Sequence, residues 1–240
     1  MQTIRVATYN IHKCVGIDRR YSPERIADVL GELEADVVAL QEVVCHSDRG
    51  RREHQVEFLA ERLGMHFCFG ENRKHFGGDY GNAILSRFPI TSFQNYDISI
   101  RQREPRGCLR AEIDVAARKE FHFVNLHLGT SFFERRKQVR KLLVAHVLDD
   151  PTITGRRIIA GDFNEWVSGL TTRLFQAKFQ SVDPKLDLGT RRTFPGIAPL
   201  VHLDHIYFDP DFTLQRASLH KSRKAMIASD HLPIFADLEF

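Results

Sequence analysis

Residues 36–42 read DVVALQE, a run of apolar residues closed abruptly by Gln41 and Glu42. A short unbroken apolar run suits a strand covered on both faces. A core, however, has no use for the two polar residues that end it. The same pattern recurs outward from this stretch. VATYN ends at Asn10, FVNLH at His127 and IIAGDFN at Asp162 and Asn164, while LDH carries Asp204 and SDH carries Asp230 and His231. In mixed α/β sheets, ligands gather just beyond the carboxyl ends of strands. Asp and Asn also close turns and cap helices, so GDFN alone reads equally well as a turn. Six coincident cases make that reading hard to hold.

Around these runs the chain alternates helices and strands. A strand is expected over residues 3–11. Ser22 and Pro23 then read as an N-cap followed by proline at the first helical position, with Ile26, Val29, Leu30 and Leu33 on one helical face. A second helix over 53–63 ends at Gly64. Strands follow over 81–86, 107–115 and 120–128, then a basic helix over 133–148 and a strand over 157–161. The last third reads as strands over 203–208, 213–220 and 233–240. Many strands joined by short turns argue for an α/β protein with much antiparallel pairing. No repeat, low-complexity tract or Pro/Gly-rich linker divides the chain, so residues 1–240 read as one domain.

Composition excludes more than it assigns. The 240 residues are 42% hydrophobic and 27% charged, an ordinary globular balance. A net charge of +3 does not by itself imply a nucleic-acid or membrane partner. The local basic clusters (Arg49, Arg51 and Arg52; Arg101, Arg103 and Arg106; Arg135 to Lys141; Lys221 to Lys224) read first as solvated faces. Cys14, Cys45, Cys68 and Cys108 lack C-x-x-C spacing, which argues against a zinc knuckle or disulfide framework and for reduced, buried thiols. No basic leader precedes an apolar stretch at the start, and no apolar run reaches the length of a membrane span. The expectation is a soluble, cytoplasmic monomer.

The polar strand-end residues also fit together chemically. Glu42, Asp162, Asp204 and Asp230 would bring four carboxylates into one pocket, where buried like charges cannot all stay ionised unaided. A hard divalent cation such as Mg²⁺, held by one or two carboxylates with water and phosphate, resolves this. The absence of cysteine from the group weakens zinc. Histidines beside carboxylates serve as metal ligands, as donors to a phosphoryl oxygen or as general acids.

YNIH, LQEV, GNAILSRFPI, NLHLG, GDFN, LDHIYF and SDHLPI occur in the order found in the endonuclease/exonuclease/phosphatase superfamily, which this sequence resembles from Asn10 to about Pro233. The resemblance implies a four-layer α/β/β/α sandwich of two mainly antiparallel sheets, like deoxyribonuclease I. It implies hydrolysis of a phosphodiester or phosphomonoester on one Mg²⁺ or Mn²⁺. By the same resemblance Glu42 is the main metal ligand, with Asn10 and Asp230 near or in the metal shell. Asp162 is the base that deprotonates the attacking water, and Asn164 is its phosphate- or water-binding neighbour. His231 is the transition-state donor, and Asp204 orients it. Apurinic-site endonucleases carry Tyr where this chain has His127, whereas deoxyribonuclease I and the sphingomyelinases have His. His127 therefore points to a general phosphodiesterase or nuclease, with lipid-headgroup cleavage as the alternative.

Arg106 and Arg110, in PRGCLRAEI, flank a strand expected beside the site and suit phosphate contacts, although surface pairing with Glu104 or Glu112 explains them nearly as well. Arg87 reads as structural and His12 as a turn residue. His205 follows Asp204 and should face the other side of its strand. Basic residues of the helix over 133–148 could present charge to nucleic acid or an anionic headgroup, against the simpler reading of a solvated face. A non-catalytic nucleic-acid or lipid binding module remains the rival, opposed by the intact acid, base and metal set.

Overall fold

The computed structural model describes residues 2–46, 54–115, 120–144, 148, 155–166, 169–183 and 192–240. The cluster Arg49, Arg51 and Arg52 lies outside them. Two six-stranded sheets stack face to face. The first contains β1 (Thr3–Asn10), β2 (Val37–Cys45), β3 (His66–His75), β4 (Gly78–Ser86), β11 (Thr213–Leu219) and β12 (Ile234–Glu239), in the order β11-β12-β1-β2-β4-β3. The second contains β5 (Ile90–Asp97), β6 (Gly107–Asp114), β7 (Glu120–His127), β8 (Arg156–Asp162), β9 (Gln180–Ser181) and β10 (Asp204–Phe208), in the order β5-β6-β7-β8-β10-β9.

Each sheet has a parallel pair, β1–β2 and β7–β8, within otherwise antiparallel pairing. Their carboxyl ends lie at one edge, where Asn10 pairs with Gln41 and His127 with Asp162. Side-chain alternation explains why these strands read as unbroken apolar runs. Val6, Val37, Ala39, Phe123 and Ile158 fill the layer between the sheets. Their neighbours Ala7, Val38, Leu40, Val124 and Ile159 face the outer helices.

Helices α1 (Pro23–Leu33) and α2 (Gln55–Leu63) cover the first sheet through Ile26, Val29, Leu30, Leu33, Val56 and Leu59. Helix α5 (Ala225–Ala228) adds Ala225 and Ala228 to the same layer. The second sheet is covered by α3 (Phe132–Val144) and α4 (Leu170–Gln176) through Val139, Leu142 and Phe175. The result is the expected α/β/β/α sandwich. The N-cap of α1 is the one expected: Ser22 Oγ accepts from the Arg25 amide at 3.3 Å, with Pro23 at the first position. Helix α2 ends on Gly64 in the left-handed region.

Three expectations need correction. Asp204 opens β10 rather than ending a strand, and Asp230 and His231 precede β12. Both strands run antiparallel to their neighbours, so their beginnings reach the same edge as the ends of β1 and β8. Glu42 does not close its strand, since β2 runs on to Cys45; the basic helix is described over Phe132–Val144, and the next residues of its expected span, 145–147, lie outside the described residues. Arg135, on that helix, is no solvated charge. It is buried and donates to the carbonyls of Gly129 and Thr130, fixing the loop just after β7.

A polar bridge ties the sheets together beneath the site. Asn125 Nδ2 donates to the carbonyls of Leu40 and Ala83 in the opposite sheet, at 2.8 and 2.7 Å, and Gln41 Nε2 donates to Asn125 Oδ1 at 2.8 Å. All of this is buried. Asn125→Ala would take the side-chain donor from two buried carbonyls and leave Gln41 Nε2 with only its bond to Thr8 Oγ1, so urea denaturation should show a loss of about 3 kcal/mol, with the circular dichroism retained.

Candidate active site

The site begins with a departure from regular strand geometry. The β2–β4 register shifts between Leu40 and Val43, and Glu42 sits in the bulge at φ 57°. Leu40 and Val43 both face the outer helices, so the bulge changes the parity of the strand and turns the Glu42 carboxylate out at the sheet edge. Positive φ on a non-glycine residue is costly, and such residues cluster at functional positions. Asn164 is a second case, at φ 50°. Gly161 precedes Asp162 at φ 153°, where a Cβ would come within 2.0 Å of the Leu126 carbonyl oxygen. Only glycine lets β8 lie this close to β7 at that point.

Asp162 is the hub. Its Oδ2 accepts from Asn10 Nδ2 at 3.1 Å and lies 3.5 Å from His127 Nε2 and 3.7 Å from His231 Nε2. Its Oδ1 accepts from the Asn164 amide at 2.9 Å. Asn164 Nδ2 donates to the Leu128 carbonyl, so this residue pins the turn that aims Asp162. His231 Nδ1 bonds to Asp204 Oδ2 at 2.9 Å, which leaves Nε2 as its nitrogen toward Asp162. Ser229 Oγ donates to the Asn10 carbonyl and accepts from the His231 amide, joining β1 to the segment before β12.

The electrostatics separate the roles of these groups. Burial raises the Asp162 carboxyl; the His231 charge opposes this, the Asp204 charge reinforces it, and the outcome is about 6. Burial would lower His231, but the charges of Asp204 and Asp162 and the Asp204 hydrogen bond push it up to about 10. His231 is therefore a cation at neutral pH. His127 behaves oppositely. Burial and the neighbouring Arg106 guanidinium drive it well below its ordinary value, so it is neutral. Arg106 Nη1 lies 2.9 Å from Nδ1 and 3.0 Å from Nε2 of His127, and Nη2 donates to Glu104 at 2.8 Å.

Glu42 is pulled two ways: burial would raise its carboxyl, yet nearby positive charge holds it at about 2. Because His127 is neutral, Lys13 is the important cation there, donating to Glu42 Oε2 at 2.5 Å. Glu42 Oε1 also accepts from Asn10 Nδ2, at 3.3 Å. Asp230 is half-exposed and lies 3.9 Å from His12 Nδ1. The partly exposed carboxylates of Glu42 and Asp230, joined by the Asn10 side chain once its oxygen, now accepting from the His12 amide, turns toward Glu42, offer the hard oxygen donors that fit a divalent cation. Asp162, Asp204 and His231 are also mutually close. There, however, the His231 cation already offsets one of the two carboxylate charges.

Most of the residues singled out from the sequence therefore meet at one edge. Arg110 does not. It shares its strand face with Cys108, which packs in the outer helical layer, and its guanidinium lies 5.4 Å from the Tyr96 ring. Sequence reasoning missed Lys13 and Ser229. Lys13 stands three residues beyond Asn10 in a left-handed turn (φ 59°) that no periodicity marks.

The sequence profile of the Endonuclease/Exonuclease/phosphatase family matches residues 7–231. This chain belongs to that family. YbhP, an uncharacterized protein of Escherichia coli (strain K12), is 30% identical over 246 aligned positions that cover 98% of this chain and 96% of YbhP. Among solved structures, a family protein from Beutenbergia cavernae DSM 12333 superposes with a TM-score of 0.84 at 22% identity, covering 100% of this chain and 72% of that one. A mannosyl-6-phosphatase from Bacteroides thetaiotaomicron VPI-5482 gives 0.78 at 21%, covering 99% and 100%. D. rerio TDP2 complexed with a single-strand DNA product gives 0.72 at 18%, covering all of both chains. These structural likenesses concern the fold. Within the family frame, the hub at Asp162 lies where the two sheets of the sandwich meet.

Proposed function

We propose that this phosphoesterase hydrolyses phosphodiesters, with Asp162 as general base and an oxygen-bound Mg²⁺ or Mn²⁺ as cofactor. The observation that carries the reading is the convergence of Asn10, His127 and His231 on one buried carboxyl oxygen of Asp162. A carboxyl raised to about 6 is mostly ionised at neutral pH yet basic enough to accept a proton from water. As that proton moves to Asp162, the water oxygen bonds to phosphorus and the bond to the leaving oxygen breaks. The His231 cation donates to the charge developing on a phosphoryl oxygen, and Asp204 holds its ring in place. Neutral His127 and the Arg106 guanidinium bound to it furnish further donors. Glu42 and Asp230, with Asn10, would hold the metal, whose charge neutralises the bound phosphate.

Preference for a diester rests on an apolar wall beside His231. The rings of Phe194 and His231 are 5.0 Å apart, and Trp166, 57% exposed, packs against Phe194 at 6.4 Å. Such a wall gives the second ester group a surface to lie on. Lys13 and Arg106 favour a second reading, since two cations suit a doubly charged monoester. The residues of the proposed site all come from one chain, which fits a monomer, and four buried thiols fit a reducing cytoplasm.

The test is hydrolysis of bis-p-nitrophenyl phosphate against p-nitrophenyl phosphate, plasmid DNA and phospholipid, each with Mg²⁺ or Mn²⁺. The diester should be cleaved fastest among the small substrates, and duplex DNA only modestly. A monoester preferred severalfold would overturn the assignment. Trp166→Ala should raise KM for the aryl diester about 3–10-fold with kcat nearly unchanged, as expected for a lost ring contact.

A further inference from the structure

A second polar cluster lies on the opposite side of β10 from the catalytic edge. Asp183 follows β9, His202 stands two residues before β10, and His205 is the second residue of β10. Asp204 reaches His231 in the active site, and strand alternation sends the next side chain, His205, the other way. His202 Nε2 lies 3.1 Å from Asp183 Oδ1, and His205 Nδ1 lies 3.1 Å from Asp183 Oδ2. One ligand atom from each residue fits within a mutual spacing of 4.8 Å.

We propose that Asp183, His202 and His205 form a binding site for a late transition-metal dication, zinc above all, separate from the oxygen-rich catalytic centre. Zinc binds imidazole nitrogen at about 2.0–2.1 Å and carboxylate oxygen at about 2.0–2.2 Å. In a tetrahedron, those bond lengths put ligand atoms about 3.4 Å apart. Here each imidazole nitrogen lies 3.1 Å from a different oxygen of Asp183, and one ligand atom from each residue falls within 4.8 Å of the others, so a turn of the carboxylate and small ring shifts admit the ion. Two nitrogens and one carboxylate oxygen select zinc and its neighbours over Mg²⁺, which seeks oxygen and keeps its waters.

A plain hydrogen-bonded triad accounts for the cluster less well. One carboxylate must serve two imidazoles whose rings crowd to 4.3 Å. The surroundings suit a metal as well. Phe163 and Tyr207 flank the His205 ring, giving an apolar back wall. His202 and Asp183 are mostly buried but keep 17% and 13% of their side-chain surface open to solvent, which offers a path in. An ion there would tie the β9 edge to the segment entering β10, and so brace the backbone that carries Asp204.

Chelator-stripped protein is loaded with Zn²⁺, then dialysed against buffer containing millimolar Mg²⁺ to fill the oxygen-rich centre. Elemental analysis should find about one zinc per chain in the wild type and in Glu42→Gln, but almost none in His202→Ala or Asp183→Asn. Co²⁺ in place of zinc should give visible ligand-field bands in the same two proteins. Zinc at about a hundredfold excess over its Kd should raise Tm by about 5–10 °C in the wild type and not in His202→Ala. His202 lies at the solvent-facing side, so its alanine variant should keep the wild-type circular dichroism. A wild type without retained zinc overturns the proposal whatever the variants do. So does zinc kept by His202→Ala or lost from Glu42→Gln. None of these readouts depends on catalysis, so they stand whether or not the phosphodiesterase reading does.

Discussion

Asp162→Asn is expected to lower kcat by about 10²–10⁴-fold while KM changes little, the usual cost of losing a general base. The substitution removes the base and keeps one of its two hydrogen bonds, because the new amide nitrogen would face the Asn10 donor. An asparagine side-chain oxygen can still accept from the Asn164 amide, the contact that Asp162 Oδ1 makes. Its amide cannot take a proton from water at neutral pH. It also ends the charge on which His231 partly depends. His231→Ala should cost a comparable factor, and the double variant little more than either single, because groups acting in one step are not additive.

The pH profile gives an independent reading of the same roles. The base works only when ionised, so the rate should fall as pH drops through about 6, where Asp162 takes up its proton. His231 works only when protonated, and it stays so until about 10, so no alkaline loss should appear below pH 9 or so. Near-wild-type turnover in Asp162→Asn, with an unchanged melting curve, would remove Asp162 from the chemistry.

The strand-end residues were legible because their chemistry conflicts with their context. Asn10, His127 and Asp162 each close a run that is buried on both faces, and Glu42 interrupts one that continues to Cys45; such runs gain nothing from a polar group there. Direction was not legible in the same way. The apolar run IYF after Asp204 and the run after Asp230 look alike whether the polar residue ends or begins the strand. Only pairing shows that β10 and β12 run against β8 and β1. The N-cap at Ser22 and the stop at Gly64 were legible because both are local, set within a turn of the chain.

What the sequence hid depended on long-range geometry. Arg106 and Arg110 both flank a strand expected beside the site, which put them forward together as phosphate contacts. Arg106, however, precedes β6, so strand alternation does not govern it, while Arg110 lies within the strand and faces the helical layer. Arg135 looks like any surface charge on a polar helix until the loop after β7 places two carbonyls within its reach. The bulge at Glu42 is invisible to a two-residue period, since one extra residue is what breaks that period.

The same bulge sets up the other large effect. EDTA is expected to abolish hydrolysis, Mg²⁺ or Mn²⁺ to restore it, and Ca²⁺ to restore it less. Glu42→Gln should sharply weaken Mg²⁺ binding, measured directly by calorimetry, while the fold persists. Glu42 is the natural target because it is an ionised carboxylate held at about 2, partly exposed and presented by a strained residue. Its charge is at present matched by the Lys13 ammonium, which donates to Oε2. A divalent ion approaching that oxygen must displace Lys13, and Lys13 is then available to the bound phosphate. Lys13→Ala should therefore bind Mg²⁺ at least as tightly as the wild type, yet show a higher KM for substrate. Glu42→Gln should do the reverse, losing metal affinity first and activity with it, and recovering part of its rate at high Mg²⁺. Two outcomes would sink this account. One is full turnover in excess chelator. The other is a Glu42→Gln protein that binds Mg²⁺ as tightly as the wild type.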